Sequence, residues 1–265
     1  MQSSLAIRGD DGPWFLVNAS PDARQQLETL SDGTDRGRDT SRAGPIAGVL
    51  LTDAEIDHTA GLLLLRESGT PVHVYGDAGV ELALRQGFPV LTMLERYCGV
   101  QWHTLLPGAA EELGRSSLSV ESFAVGGDAP RYLDGSGLEL EACGLSFRDH
   151  TTGAMLTYVP GLARCDDGIR DRFAASDLVL VDGTFWTDDE LPRLGFSQRG
   201  ALDMGHLPLS GPGGTIEALS ALPRPRKVLV HINNTNPILL EDSPQRAAVI
   251  DASIEIGYDG MEMRL

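Results

Sequence analysis

The sequence predicts an α/β fold, an αβ/βα sandwich built as one domain over residues 1–265. Ile46–Leu51, Leu178–Val181 and Lys227–Val230 read as buried strands and Val72–Tyr75 as a short strand, with helical stretches between them. From about Ser117 to Val159 apolar and polar residues alternate, as in a series of antiparallel strands (Leu118, Val120, Phe123; Leu138, Leu140; Leu145, Phe147; Met155, Tyr158). Polar clusters stand directly after buried strands, at Asp57-His58, Asp182 and His231. A strand end is a rigid origin, so several such ends on one sheet edge can aim side chains at a common point.

In chain order, Ser4–Arg8 and Trp14–Val17 flank the turn-rich Gly9-Asp10-Asp11-Gly12-Pro13 and read as a hairpin. Ser20-Pro21-Asp22 opens a helix to about Leu30, with an N-cap, a first-turn proline and an early acid. Residues 31–44 have no apolar period and read as a surface loop. After the strand at Ile46–Leu51 a helix begins near His58 and continues through Leu62–Arg66. Helices are expected at 77–85 and Phe88–Tyr97, with a strand at Trp102–Leu106. A helix over Asp167–Ala175 leads into the strand that ends on Asp182, and Gly211-Pro212-Gly213-Gly214 opens a helix through Ser220. Ser243-Pro244 caps another helix, and strands are expected near 253–256 and at 261–265.

Lys and Arg number 21 against 38 Asp and Glu, a net charge of -17 that repels phosphate backbones and anionic lipid alike. Nucleic acid is therefore not expected as a partner. The three cysteines, Cys98, Cys143 and Cys165, are far apart and form no C-x-x-C pair, so they read as reduced, mostly structural thiols of a cytoplasmic protein. No basic-plus-apolar leader and no membrane-length apolar run is visible, so neither export nor a membrane is expected.

The most informative stretch is Thr52-Asp53-Ala54-Glu55-Ile56-Asp57-His58-Thr59-Ala60-Gly61-Leu62. Asp57 and His58 can both reach one cation at the mouth of the helix, with hard oxygen and imidazole nitrogen donors. Alternatively, Asp57 caps that helix and the rest is solvated loop. Asp53 and Glu55 either orient the ligands or belong to a second ion site.

Asp53-x-Glu55-x-Asp57-His58-x-x-Gly61 resembles the HxHxDHxxG metal loop of the metallo-β-lactamase superfamily, with acids in place of the first two histidines. Within it, that loop and His231-Ile232-Asn233-Asn234-Thr235-Asn236-Pro237 resemble the pyrroloquinoline quinone (PQQ) biosynthesis protein B family. So do Asn18-Ala19-Ser20-Pro21-Asp22, Pro160-Gly161-Leu162, Val181–Trp186, Met204–Leu207, Ser210–Gly214 and Tyr258–Met261, in the family's order. The resemblance implies a metallo-β-lactamase-like sandwich. The family's leading segment, with a first strand and a cysteine cluster holding a structural zinc, has no counterpart before Gln2-Ser3-Ser4. That zinc is not carried over, the fold is expected to be N-terminally incomplete, and the sheet is expected to show an open edge there.

The resemblance assigns the metal to Asp57, His58, Asp182 and His231, which are expected to share one ion. It places His206 at the same pocket, as a ligand or a proton-handling group, and gives Asp57 a catalytic role as well. Asn233, Asn234 and Asn236 either bind substrate carboxylates or satisfy their own backbone. A superfamily two-zinc centre does not fit: its first site would be Asp53 and Glu55, and His150 is the one candidate for the middle histidine between residues 104 and 205. Two histidines and a carboxylate instead match a non-haem Fe(II) centre with O2 as co-substrate, Zn being the alternative metal. The implied activity is hydroxylation of the tyrosine ring in the Glu-Tyr-derived PQQ precursor, a peptide-derived small molecule, by a cytoplasmic protein that could be a homodimer. The rival readings are a carrier of PQQ or its precursor toward the periplasm and a zinc-dependent hydrolase. His73, His103 and His150 are expected to be structural.

Overall fold

The computed structural model describes residues 4–10, 12–32, 46–138 and 140–265. They divide into two compact units, residues 1–122 with 129–140 and residues 123–128 with 141–265. Of the loop expected at 31–44, residues 31 and 32 end a helix and the rest lies outside the described residues.

The first unit runs β1 (Leu5–Ile7), β2 (Trp14–Val17), α1 (Ala23–Asp32), β3 (Ile46–Leu50), α2 (Ile56–Thr59), β4 (Val72–Gly76), α3 (Ala78–Gln86), α4 (Val90–Leu94), β5 (Val100–Thr104) and β6 (Ala110–Glu112). Its sheet has the order β1-β2-β3-β4-β5. The β1–β2 hairpin is antiparallel and the other pairs are parallel. One face of the sheet presents Leu16, Val49, Val72 and Val74 to a core completed by Leu62, Leu65, Leu84 and Leu91. Parallel strands require covered faces, which is why these runs are apolar.

Beyond α2 the chain continues, over the stretch expected to be helical, as a 3-10 helix, Ala60–Glu67. Gly61 N–H donates to the carbonyl of Ala19, outside the helix, at 2.8 Å. The helix expected over Phe88–Tyr97 is only Val90–Leu94, because Pro89 sets its start and Gly99, at φ 86°, turns the chain into β5. Leu138 and Leu140 are not in a strand: Gly135 and Gly137, at φ 76° and 75°, turn the chain, and both leucines pack in the core of the first unit.

β7 (Leu118–Gly126) pairs antiparallel with β6 through its first half, within the first unit. Its remainder belongs to the second unit, with β8 (Ala142–Asp149), β9 (Met155–Val159), α5 (Asp167–Ala175), β10 (Leu178–Asp182), α6 (Glu190–Leu194), α7 (Thr215–Ser220), β11 (Arg226–Val230), α8 (Pro244–Asp251) and β12 (Glu255–Ile256). The strand order is β12-β11-β10-β9-β8-β7. β9, β10, β11 and β12 are mutually parallel, and β8 runs antiparallel to β9. The helices expected at 167–175 and after Ser243 form with Asp166 and Ser243 as side-chain N-caps. No strand forms at 261–265. The core of this unit gathers Val159, Val179, Val181 and Leu229 with Phe173, Leu219 and Val249. No helix among the described residues is long and apolar enough to cross a membrane.

Candidate metal centre

In the second unit the site grows from two neighbouring strand ends. β10 and β11 are parallel, with Asp182 in register with Val230, so Asp182 and the next residue, His231, emerge side by side at the carboxyl ends of the sheet. In open α/β sheets this edge is where ligands bind. His206 joins them from the loop after a short 3-10 turn at Leu202–Met204. Asp182, His206 and His231 each offer one ligand atom, and these lie within 4.8 Å of one another. The rings of His206 and His231 stack with centroids 5.3 Å apart, and Phe185 meets His206 edge-on at 5.7 Å.

The hydrogen bonds set which nitrogen each histidine presents. Asp182 is buried, and its Oδ2 accepts from His206 Nδ1 at 2.7 Å and from Leu162 N–H at 3.0 Å. Its Oδ1 accepts from Thr184 N–H at 2.9 Å and from the Thr184 hydroxyl at 2.6 Å. That hydroxyl has one proton, spent on the carboxylate, so its oxygen receives the Nδ1–H of His231 at 2.6 Å. Both imidazoles thereby carry a proton on Nδ1, so Nε2 is the nitrogen each would turn to a metal, the arrangement in which outer groups orient metal-binding histidines. Burial alone would raise the Asp182 carboxyl, but His206, His231 and Thr184 reverse this and hold it below the usual carboxylate range. His231 has φ 54°, rare for a residue with a side chain, and its carbonyl also lies 2.8 Å from the Thr184 hydroxyl.

In the first unit, the acidic loop after β3 folds around Asp53 and His58, both buried. The two oxygens of Asp53 lie 2.8 and 2.7 Å from His58 Nδ1, and they also accept the Glu55 N–H and the Thr52 hydroxyl. The carboxylate is occupied in orienting His58, one of the two roles open to it in the sequence. Burial lowers the pKa of His58, but Asp53 outweighs it and pushes it up to about 9; Asp53 is itself held low by His58 despite its burial. Asn18, at φ 58°, closes the loop by donating from Nδ2 to Thr52 Oγ1 and accepting Thr52 N–H. Tyr132 donates its hydroxyl to the Ala54 carbonyl at 2.7 Å, and burial raises its pKa to about 12.

The N-cap position of α2 is Glu55, with no side-chain cap bond, and Asp57 lies in the first turn. The capping role considered for Asp57 is thus corrected: it is the second residue of the helix, with its side chain 44% exposed and an oxygen 3.9 Å from His58 Nε2. Glu55 is exposed. The structure corrects the substrate-binding reading of Asn236, which is buried: its Nδ2 donates to the carbonyls of Gly183 and Thr184 and its Oδ1 accepts Ile238 N–H. Asn233 donates to Thr235 Oγ1, and Asn234 is exposed. His150 stands in an exposed turn after β8. His73 and His103 hydrogen-bond each other at 2.9 Å on β4 and β5, and the three cysteines are free thiols. Sequence reasoning missed Thr184 and Thr52, although each adjoins a predicted ligand loop.

The family model of the beta-lactamase superfamily domain matches residues 13–232. The coenzyme PQQ synthesis protein B of Methylococcus capsulatus is 44% identical over 270 residues, covering 100% of this chain and 88% of that protein. The protein of the same name from Cupriavidus necator is 45% identical over 277 residues, covering 100% and 87%. Among solved structures, zinc-bound PqqB from Methylobacterium extorquens matches with a TM-score of 0.87 at 36% identity, over 100% of this chain and 87% of that one. A diphosphatase of the PhnP family, at 17% identity, a TM-score of 0.64 and coverage of 98% and 82%, shares the fold alone. With its metallo-β-lactamase fold and relatives this similar along its whole length, the chain belongs to the coenzyme PQQ synthesis protein B family.

Proposed function

We propose that this chain serves PQQ biosynthesis as an iron-dependent oxygenase, hydroxylating the tyrosine ring of the Glu-Tyr-derived precursor. The observation that carries this reading is the pair of imidazoles in the second unit, His206 and His231, whose Nδ1 atoms are tied to Asp182 and Thr184 so that each would offer a metal its Nε2. Paired imidazole donors with open positions suit a non-haem Fe(II) ion, which when bound would supply the electron-transfer chemistry that lets dioxygen react with a ring C–H bond. His206 and His231 would hold the metal by Nε2. Asp182 and Thr184 keep the Nδ1 protons in place and so keep both lone pairs pointed at the ion. The same donors accept Zn(II), the metal in the Methylobacterium extorquens relative.

The test compares Fe(II)- and Zn(II)-loaded protein in an oxygen electrode, with the dipeptide precursor and ascorbate. One oxygen atom should enter the ring and the other leave as water, using two electrons from ascorbate and two protons from solvent. Oxygen uptake coupled to a product one oxygen heavier, with Fe(II) and not Zn(II), is expected. Zinc-dependent cleavage without oxygen uptake would favour the hydrolase; PQQ binding without turnover would favour the carrier.

A further inference from the structure

Glu190 opens α6 yet is 2% exposed, an uncommon position for a carboxylate. Its partners are neutral donors. Oε2 accepts the Trp186 N–H at 2.7 Å and Oε1 accepts the Thr235 hydroxyl at 2.5 Å. The oxygen of that hydroxyl receives a side-chain N–H of Asn233 at 2.7 Å. Burying an acid is costly unless hydrogen bonds offset it, and each oxygen of this one has a donor, so it points to what it organises.

The two ends of this network are the two ligand loops. Trp186 closes the stretch Asp182-Gly183-Thr184-Phe185-Trp186 after β10, and Asn233 and Thr235 follow His231 after β11. The other ties across this seam include Asn233 N–H to the Thr184 carbonyl at 3.2 Å and the Asn236 amide to the carbonyls of Gly183 and Thr184. Because His231 sits at φ 54°, the direction of its ring depends on how firmly this loop is held.

We propose that Glu190 is a positioning residue of the metal centre: its buried carboxylate locks the His231 loop to the Asp182–Thr184 loop and so sets where the His231 nitrogen stands. This rests on the metal-centre reading above. Glu190 need not touch the ion to act, since groups behind metal ligands typically change affinity about 10- to 100-fold.

The test is a Zn(II) titration of the full chain against a chromophoric chelator, with the visible spectrum of the Co(II) form as a geometric readout. Wild type, Glu190→Gln, Thr235→Val, Thr235→Ser and His231→Ala are compared, with the melting temperature of each metal-free protein. Thr235→Ser, which keeps the hydroxyl, should retain the wild-type affinity and spectrum. Glu190→Gln and Thr235→Val should bind about tenfold more weakly or worse, with a shifted Co(II) band, out of proportion to any change in melting temperature. If Glu190→Gln does not fold, the Thr235 pair decides. Wild-type affinity and spectrum in Thr235→Val, with only stability lowered, would overturn the positioning role and leave the metal centre standing. Wild type that binds no tighter than His231→Ala would overturn the centre and the role of Glu190 with it.

Discussion

The hydroxyl of Thr184 lies 2.6 Å from Nδ1 of His231 and 2.6 Å from Oδ1 of Asp182, so one side chain sets both the tautomer of a histidine and the acceptance of a buried carboxylate. Thr184→Val keeps the shape and removes both bonds together with the hydroxyl's contact to the His231 carbonyl. Metal affinity should fall about 10- to 100-fold, and Thr184→Ser should restore most of it. Competition titration of the two variants checks this; equal affinities would show that the hydroxyl does not orient His231.

A β-carbon on Gly61 would stand 2.2 Å from the Ser20 carbonyl oxygen and 2.7 Å from that of Ala19. Both obstacles are backbone, and the same loop receives the Gly61 N–H and donates Ala19 N–H to the His58 carbonyl. Gly61→Ala should therefore destabilise by about 2 kcal/mol or more, at the upper part of the range for overpacking. That corresponds to a melting temperature lower by roughly 4–8 °C. Calorimetry of the two metal-free proteins checks it, and an unchanged melting temperature would mean that the loop yields freely.

The Asp53–His58 pair gives metal-free stability a defined pH range. His58 is raised to about 9 in the folded chain, above its unfolded value, so its contribution is full below about pH 6.5 and is lost as pH rises through about 9. Asp53 is lowered, so its contribution is present above about pH 3.9 and is lost as pH falls below it. Urea midpoints of wild type and His58→Gln should differ most between about pH 4 and 6.5 and converge on the alkaline side. A difference that stays constant to about pH 10 would show that the pair does not share charge as the structure implies.

Much of the second site was legible because the apolar stretches Leu178–Val181 and Val228–Val230 are each followed at once by a polar group, Asp182 and His231, and parallel pairing of β10 and β11 brings such ends together. The acidic loop was legible for the same reason, since buried β3 delivers Asp53 and His58. Alternation misled at Leu138 and Leu140, because it reports which side chains are buried and not whether the backbone finds a strand partner. Thr184 and Glu190 were hidden for a different reason. A threonine after Asp-Gly reads as a turn residue, and a glutamate at a helix start reads as a solvated first-turn acid. Their roles depend on contacts across 45 and 47 sequence positions, to Thr235 and His231, which no local pattern records.

The most direct test of the account follows the origin of the new ring oxygen. Fe(II)-loaded wild type and His231→Ala are given the precursor, ascorbate and isotopically heavy dioxygen, and the products are weighed by mass spectrometry. The account predicts heavy oxygen on the tyrosine ring with wild type and none above background with His231→Ala, whose fold should survive the loss of one strand-end side chain. Unlabelled product, or equal labelling by the two proteins, would contradict it.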